Sequence, residues 1–385
     1  MREFLYLDYN ATTPVDPRVA AAILDALQEN FGNPSSAHAL GRGARAAVER
    51  ARGHVAALLG AVPEEILFTS GGTEANNAAV FGLAAAAPAD RRHLIVSAVE
   101  HPAVMEPARR LAAQGWRLSL LPVDAGGRVR PRDLEAALDS DTALVSVMLA
   151  NNEVGTLQPI AELAALCRAR EVPMHCDAAQ AVGKIPVNAA SLGVDCLSLA
   201  GHKLYAPKGV GALYLKRGLA LPPFLLGAGQ ESGRRAGTEN VPGIVGLGEA
   251  ARLAASLLDE ELVHCRVLRD RLLAGLRQHF DERWMRINGL AESRPRDCLP
   301  GTLSVSFQGL EAGDLLARLG DKLAASPGAA CNAEGGKLSA VLAAMGLDPL
   351  WARGTLRFSV GRMSKPAEID QAVALLAGVI QPLLT

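Results

Sequence analysis

The chain has 385 residues, 49% hydrophobic and 21% charged, with a formal net charge of −1. That length exceeds one small core and calls for a large domain with a smaller companion. The near-zero charge balance gives no footing for a nucleic-acid or polyanion partner, and the short Ala-rich apolar runs fall below a membrane span. The first residues read as a strand with no basic-then-apolar leader, so a cytoplasmic location is expected. Six cysteines (Cys167, Cys176, Cys196, Cys265, Cys298 and Cys331) show neither a Cys-x-x-Cys pair nor zinc-like spacing, so free thiols and no metal are expected.

In chain order, a short strand at 5–9 is broken by Asn10-Ala-Thr-Thr-Pro14. Asp16-Pro17 then caps a helix to position 28, and Phe31-Gly-Asn-Pro-Ser-Ser36 is a loop before an Ala/Arg-rich helix at 38–59. A regular alternation follows, with strands at 65–69, 93–98, 117–122, 143–149, 173–176, 194–199 and 211–215. Helices at 73–87, 103–113, 131–138 and 160–170 lie between them. Leu144-Val-Ser-Val-Met-Leu149 is nearly all apolar, as in strands buried on both faces. Such alternation predicts a mostly parallel sheet covered by helices, with ligands at the carboxyl ends of strands. The last strand, joined by a short turn, is expected to be antiparallel. A helix at 242–258 leads out of this unit. The remainder reads as a smaller α+β unit: helix 262–279, strand 302–307, helix 312–319, a loop at 326–337, strand 355–360 and helix 367–384. The expected division is 15–258 for the large domain, with 1–14 and 259–385 forming the small one.

The chemistry sits at the strand ends. The apolar run from Cys196 stops at Gly201-His202-Lys203, which holds one lysine where ligands bind. A lone lysine there ordinarily snorkels to water, so its meaning rests on what meets it. Ser70-Gly-Gly-Thr-Glu-Ala-Asn opens a helix; alone it reads as an N-cap, and in company as an anion site. It lacks the glycine spacing of a Rossmann nucleotide site. Glu100-His101-Pro102, Ala150-Asn151-Asn152-Glu153 and Asp177-Ala-Ala-Gln180 each follow a strand. Together these meet the needs of pyridoxal 5′-phosphate. The cofactor takes a lysine for its aldehyde, a carboxylate for the pyridine nitrogen, a flat ring as cover, an amide for the phenolic oxygen and a helix N-terminus for the phosphate. Cys331 lies apart, in Ala324-Ala-Ser-Pro-Gly-Ala-Ala-Cys-Asn-Ala-Glu-Gly-Gly-Lys337, a stretch without apolar periodicity that predicts an exposed thiol.

Ordered motifs extend these signals over essentially the whole chain: Leu7-Asp-Tyr-Asn-Ala-Thr-Thr-Pro14, Phe68-Thr-Ser-Gly-Gly-Thr-Glu74, Ala150-Asn-Asn-Glu-Val-Gly155, Gly237-Thr-Glu-Asn240 and Leu356-Arg-Phe-Ser-Val-Gly-Arg362 among them. On these the chain resembles the cysteine desulfurases, fold-type-I pyridoxal-phosphate enzymes of the class V aminotransferase group, and their relatives the selenocysteine lyases. The resemblance implies an α/β fold with a mostly parallel seven-stranded sheet and a smaller α+β domain carrying the Cys331 loop. It implies Lys203 as the Schiff-base lysine, Asp177 at the pyridinium nitrogen, His101 stacked on the ring and Gln180 at the phenolic oxygen. Gly72, Thr73 and His202 would hold the phosphate, joined by Thr238 from the other subunit of a homodimer. Asn152, beside the cofactor, and Arg357 would hold the substrate carboxylate. Cys331 would take sulfur from L-cysteine as a persulfide, release alanine and pass the sulfur to an acceptor such as an iron–sulfur scaffold protein. Four positions depart from the family pattern: Ala200 for serine, Ala206 and Ala228 for glycine, and Ser232 for arginine. The Ala200 change is also similar to selenocysteine lyases, which keeps selenocysteine open as a substrate. An aminotransferase on the same fold would use Lys203 and Asp177 and leave Cys331 incidental.

Overall fold

Runs of consecutive buried residues decide the centre of the molecule. The computed structural model describes residues 4–328 and 338–384. After a two-residue strand β1 (Leu5–Tyr6) come β2 (Ile66–Thr69), β3 (His93–Ser97), β4 (Arg117–Leu121), β5 (Thr142–Ser146), β6 (Met174–Asp177), β7 (Cys196–Ala200) and β8 (Gly211–Leu215). The last seven form one sheet in the order β2-β8-β7-β6-β5-β3-β4. Strand β8 runs antiparallel to β2 and β7, as its tight connection requires, and the other pairings are parallel. Parallel strands need crossovers, and α3 to α7 below lie on them.

The helices of this part are α1 (Pro17–Glu29), α2 (Ala39–Leu59), α3 (Gly72–Ala86), α4 (Pro102–Ala112), α5 (Pro131–Ala137), α6 (Ile160–Ala169) and α7 (Ala189–Leu192). The pleat sends neighbouring residues to opposite faces, and both faces are covered. Val145 and Leu197 join Val48 and Val55 of α2 in one core, while Leu144 and Cys196 join Val80 and Leu83 of α3 in another. Cys167 and Cys176 are core filler on the first face. Cys265 and Cys298 are also buried free thiols.

The next helix corrects the sequence reading. Helices expected separately at 242–258 and 262–279 are one helix, α8 (Val241–His279), of 39 residues. Asp259 and Glu260 interrupt the apolar pattern, yet neither breaks a helix, and no glycine or proline stands between Leu258 and Leu262. Its apolar window is long enough to cross a membrane by composition alone, against the expectation of none, but 56% of that window is buried inside the protein. It is a core helix. Ile244 and Leu247 enter the first core; Leu268, Leu272 and Leu276 enter another, with Phe307, Phe358 and Leu376.

That further core is covered by a four-stranded antiparallel sheet in the order β12-β13-β10-β9. Its strands are β9 (Met285–Asn288), β10 (Thr302–Phe307), β12 (Ser326–Pro327) and β13 (Thr355–Ser359). Strand β11 (Leu323–Ala324) pairs in parallel with β1. Helices α9 (Ala312–Leu319), α10 (Ala340–Ala344), α11 (Pro349–Ala352) and α12 (Pro366–Ile380) complete the fold. Just past β13, Arg362 donates to Glu261 Oε2 of α8 and to Asp16 Oδ2, each at 2.9 Å, and stacks over the Tyr205 ring. One guanidinium thus ties three separate parts of the chain.

Candidate active site

Strand β7 ends at Ala200, and a single 3-10 turn, Gly201–Lys203, aims the lysine back across the sheet edge. Lys203 Nζ donates to the carbonyl oxygen of Asn10 and to that of Ala11 at 2.8 Å. Burial and the Arg357 guanidinium lower its pKa to about 8, against the opposing pull of Asp8 and Asp177. A lysine so placed is a charged donor at rest and a neutral amine within reach of ordinary pH.

The turn forms one wall of a cavity of about 410 Å³. The opposite wall is the N-terminus of α3, whose N-cap is Gly71 at φ 153, with no side-chain cap. The N-cap role that Ser70 could have taken is therefore unfilled, which leaves the first helical N–H groups without a side-chain cap, as an anion site allows. A Cβ on Gly72 would come within 3.1 Å of the Ala200 methyl, so glycine lets helix and strand end close up.

Asp177 closes β6. Its Oδ1 accepts from the Ala179 N–H at 2.9 Å and its Oδ2 from Asn76 Nδ2 at 2.7 Å, which fixes the carboxyl plane. His101 caps α4, its Nδ1 accepting from the Ala103 N–H at 3.1 Å, so the neutral ring carries its proton on Nε2. Burial and Lys203 lower the His101 pKa, which keeps the ring neutral. Burial likewise pushes His202 down to about 4, its Nδ1 lying 3.1 Å from Thr12 Oγ1. The neighbouring Glu100 is pushed up to about 8 by burial, its Oε1 accepting from Ser97 Oγ and Met148 N.

Arg357 reaches the cavity from β13. It donates to the Asn152 carbonyl at 3.0 Å, to Asp8 Oδ1 at 2.6 Å and to Ser326 Oγ at 2.7 Å. Among the described residues, its Nε and the Oδ1 of Asn76 are buried without partners, so hydrogen-bonding capacity stands ready for a ligand.

Gly72, Thr73, His101, Asn152, Asp177 and Gln180 line this one cavity with His202, Lys203 and Arg357. Thr238 does not; it is exposed on the segment after Gln230. Cys331 lies outside the described residues. A larger recess of about 810 Å³ lies by Arg52 and Glu231, which already close an ion pair at 2.7 Å. Sequence reasoning gave no role to Asn10, whose carbonyl receives Lys203, nor to Asn76. The signal for Asn76 was available, because it stands three residues after Thr73, one helical turn on.

The sequence profile of the aminotransferase class-V family matches residues 5–372. A cysteine desulfurase IscS of Dictyoglomus turgidum is 42% identical over 386 residues, covering 100% of this chain and 96% of its own. Cysteine desulfurase 2 of Trichormus variabilis is 45% identical, covering 98% of this chain and 94% of its own. The chain belongs to the class-V aminotransferases. A solved structure described as a NifS-like protein superposes with a TM-score of 0.91 at 37% identity, covering 98% of this chain and 99% of that one.

Class-V enzymes of this group depend on pyridoxal 5′-phosphate, and the class-V site here fits it. The uncapped α3 terminus suits the phosphate, the oriented Asp177 carboxyl the ring nitrogen, and the Lys203 amine the aldehyde.

Proposed function

We propose that the protein is a pyridoxal-phosphate-dependent cysteine desulfurase, converting L-cysteine to L-alanine and passing on the sulfur. One observation carries this most: Lys203, with a pKa lowered to about 8, shares a cavity with Asp177, His101 and Arg357. The likeness to relatives named cysteine desulfurases over the full chain supports the substrate.

When bound, pyridoxal 5′-phosphate supplies an electron sink that acidifies the substrate's Cα–H bond. Lys203 holds the cofactor and, as a neutral amine, takes and returns that proton. Asp177 presents a carboxyl to the ring nitrogen, His101 covers the ring, and Gln180 donates to the phenolic oxygen. Gly72, Thr73 and His202 hold the phosphate. Arg357 and Asn152 grip the substrate carboxylate, and the guanidinium's present bond to Asp8 marks how it would take a carboxylate. The Cys331 thiolate attacks the substrate sulfur to form a persulfide; the Cβ–S bond breaks with its electron pair left on carbon, and that carbon takes up a proton so that the fragment leaves as alanine.

The division into 15–258, with 1–14 and 259–385 as the smaller unit, is supported by the separate cores on either half of α8. The exposed position of Thr238 is compatible with service to a second subunit in a homodimer. A cytoplasmic setting and an iron–sulfur scaffold as sulfur acceptor complete the proposal. The deciding experiment compares initial rates on cysteine and selenocysteine with and without Cys331. Cysteine turnover lost in Cys331→Ala, with the yellow chromophore kept, is the expected result. Full cysteine turnover in that variant would overturn the assignment of the thiol, and a selenocysteine preference that ignores Cys331 would favour a lyase.

A further inference from the structure

Beneath the cavity, Lys184 ends in an arrangement that the reaction above leaves unused. The residue is half-buried, and its ammonium turns inward to donate to Asn10 Oδ1 at 3.0 Å and Gln180 Oε1 at 2.7 Å. Asn10 and Gln180 are themselves buried. The charged and titratable groups facing it are Lys203 beyond β7, Arg357 of β13, and Cys265 and Glu261 of α8. Glu261 is engaged elsewhere, in its ion pair with Arg362 at 2.9 Å. The protein therefore keeps an amine inside on two neutral amide oxygens, an arrangement that costs stability and calls for a reason.

The reason lies in Gln180. Its amide has chemically opposite ends: Nε2 donates to the Asn10 carbonyl at 2.8 Å, and Oε1 accepts from Lys184. Burial, with Lys203 and Arg357, lowers the Lys184 pKa to about 7; while Lys184 is protonated, a half-turn of the amide would set its NH2 against the ammonium and its oxygen against a carbonyl, replacing two hydrogen bonds by two repulsions. Gln180 also lines the cofactor cavity, so the amide orientation decides whether it shows that cavity a donor or an acceptor. The Asn10 carbonyl that takes Gln180 also takes Lys203, which joins the unit to the cofactor lysine.

We propose that Lys184 is a positioning residue, locking the Gln180 amide so that it donates to the oxygen of the cofactor facing it. This rests on the reading of Gln180 as the partner of the phenolic oxygen. A donor at that oxygen stabilises its anion and sets the pH at which the bound cofactor's visible absorption changes.

The test titrates that absorption in substrate-free holoenzyme. Lys184→Met, which keeps the length and removes the donors, is expected to raise the midpoint by about one pH unit, while Lys184→Arg leaves it in place. Lys184→Leu serves beside Met as a second variant without donors, with the same displacement expected, so a misfolded Met variant leaves the test standing. Gln180→Leu should shift the midpoint equally, and adding Lys184→Met to it should shift it no further. An unmoved midpoint in the donor-poor Lys184 variants, with Gln180→Leu shifted, overturns the role of Lys184. An unmoved midpoint in Gln180→Leu overturns the Gln180 reading and the proposal with it. Additive shifts in the double variant would show that Lys184 acts by its charge and not through Gln180, which also overturns it.

Discussion

Asn76 Nδ2 donates to Asp177 Oδ2 at 2.7 Å, across 101 positions of sequence, and both residues are buried. The amide comes from the first turns of α3, the same helix whose N-terminus forms the anion site. In the proposed site, one helix would therefore hold both the phosphate end and the carboxyl facing the ring nitrogen. Asn76→Ala should weaken cofactor binding about tenfold, as expected for one hydrogen bond to a charged group. Titration of cofactor-free protein with pyridoxal 5′-phosphate measures it; wild-type affinity would remove Asn76 from the site.

Lys203 carries a pKa of about 8 against an ordinary 10.5. Capture of the cofactor needs the neutral amine, so the capture rate of cofactor-free protein should rise with pH and level off just above 8. The unfolded chain holds this proton up to the ordinary value, so it binds more protons than the fold between about 8 and 10.5. Folding stability from this group therefore rises with pH across that window, being least below 8. A capture rate still climbing steadily past pH 10 would contradict the lowered value.

Arg357 is seated by Asp8, Ser326 and the Asn152 carbonyl, which hold its fork toward the cavity. Arg357→Lys keeps a charge and loses the planar pair of donors. KM for cysteine should rise about tenfold or more, with a smaller change in kcat, in steady-state assays. A kcat loss at unchanged KM would place Arg357 in the chemical step and not in carboxylate binding.

The Arg362 guanidinium binds Glu261 and Asp16, both buried, and covers Tyr205. Arg362→Leu leaves the buried Glu261 carboxylate without a cation, while Asp16 keeps Arg18, and should cost about 3 kcal/mol in chemical denaturation. Arg18 and Arg362 hold the Asp16 carboxyl down at about 2. Its stabilising contribution is present above the unfolded value of 3.8 and is lost as pH falls through about 2. Loss of Arg362 should therefore move acid unfolding to higher pH, followed by circular dichroism; an unmoved acid limb would leave the network without a role in stability.

The large sheet was legible because its strands are short apolar runs punctuated by polar strand ends, and burial on both faces writes that pattern directly. Lys203, Asp177 and His101 stood out for the same reason: a polar group at the end of an apolar strand is where ligands bind. What stayed hidden depends on contacts that no local pattern records. Asn10 acts largely through its carbonyl oxygen, which has no sequence signature at all. Lys184 reads as an ordinary surface lysine until the fold turns its ammonium inward. Strand β9 is only four residues, with Arg286 exposed in its middle, and gave no alternation strong enough to count. Helix α8 was divided because its charged middle passes between two cores, where the surface demands polarity and the backbone demands nothing.

That undivided helix has a mechanical consequence. Over 39 residues, about 60 Å at the helical rise, α8 runs through both cores without a joint. The core beside Lys203 and the core beneath Arg357 are mounted on the same beam. Swinging one away from the other would mean bending a continuous hydrogen-bonded rod, and Arg362 is bolted across its middle through Glu261. The core beside the Lys203 amine and the core beneath the Arg357 guanidinium are thus joined through one continuous helix.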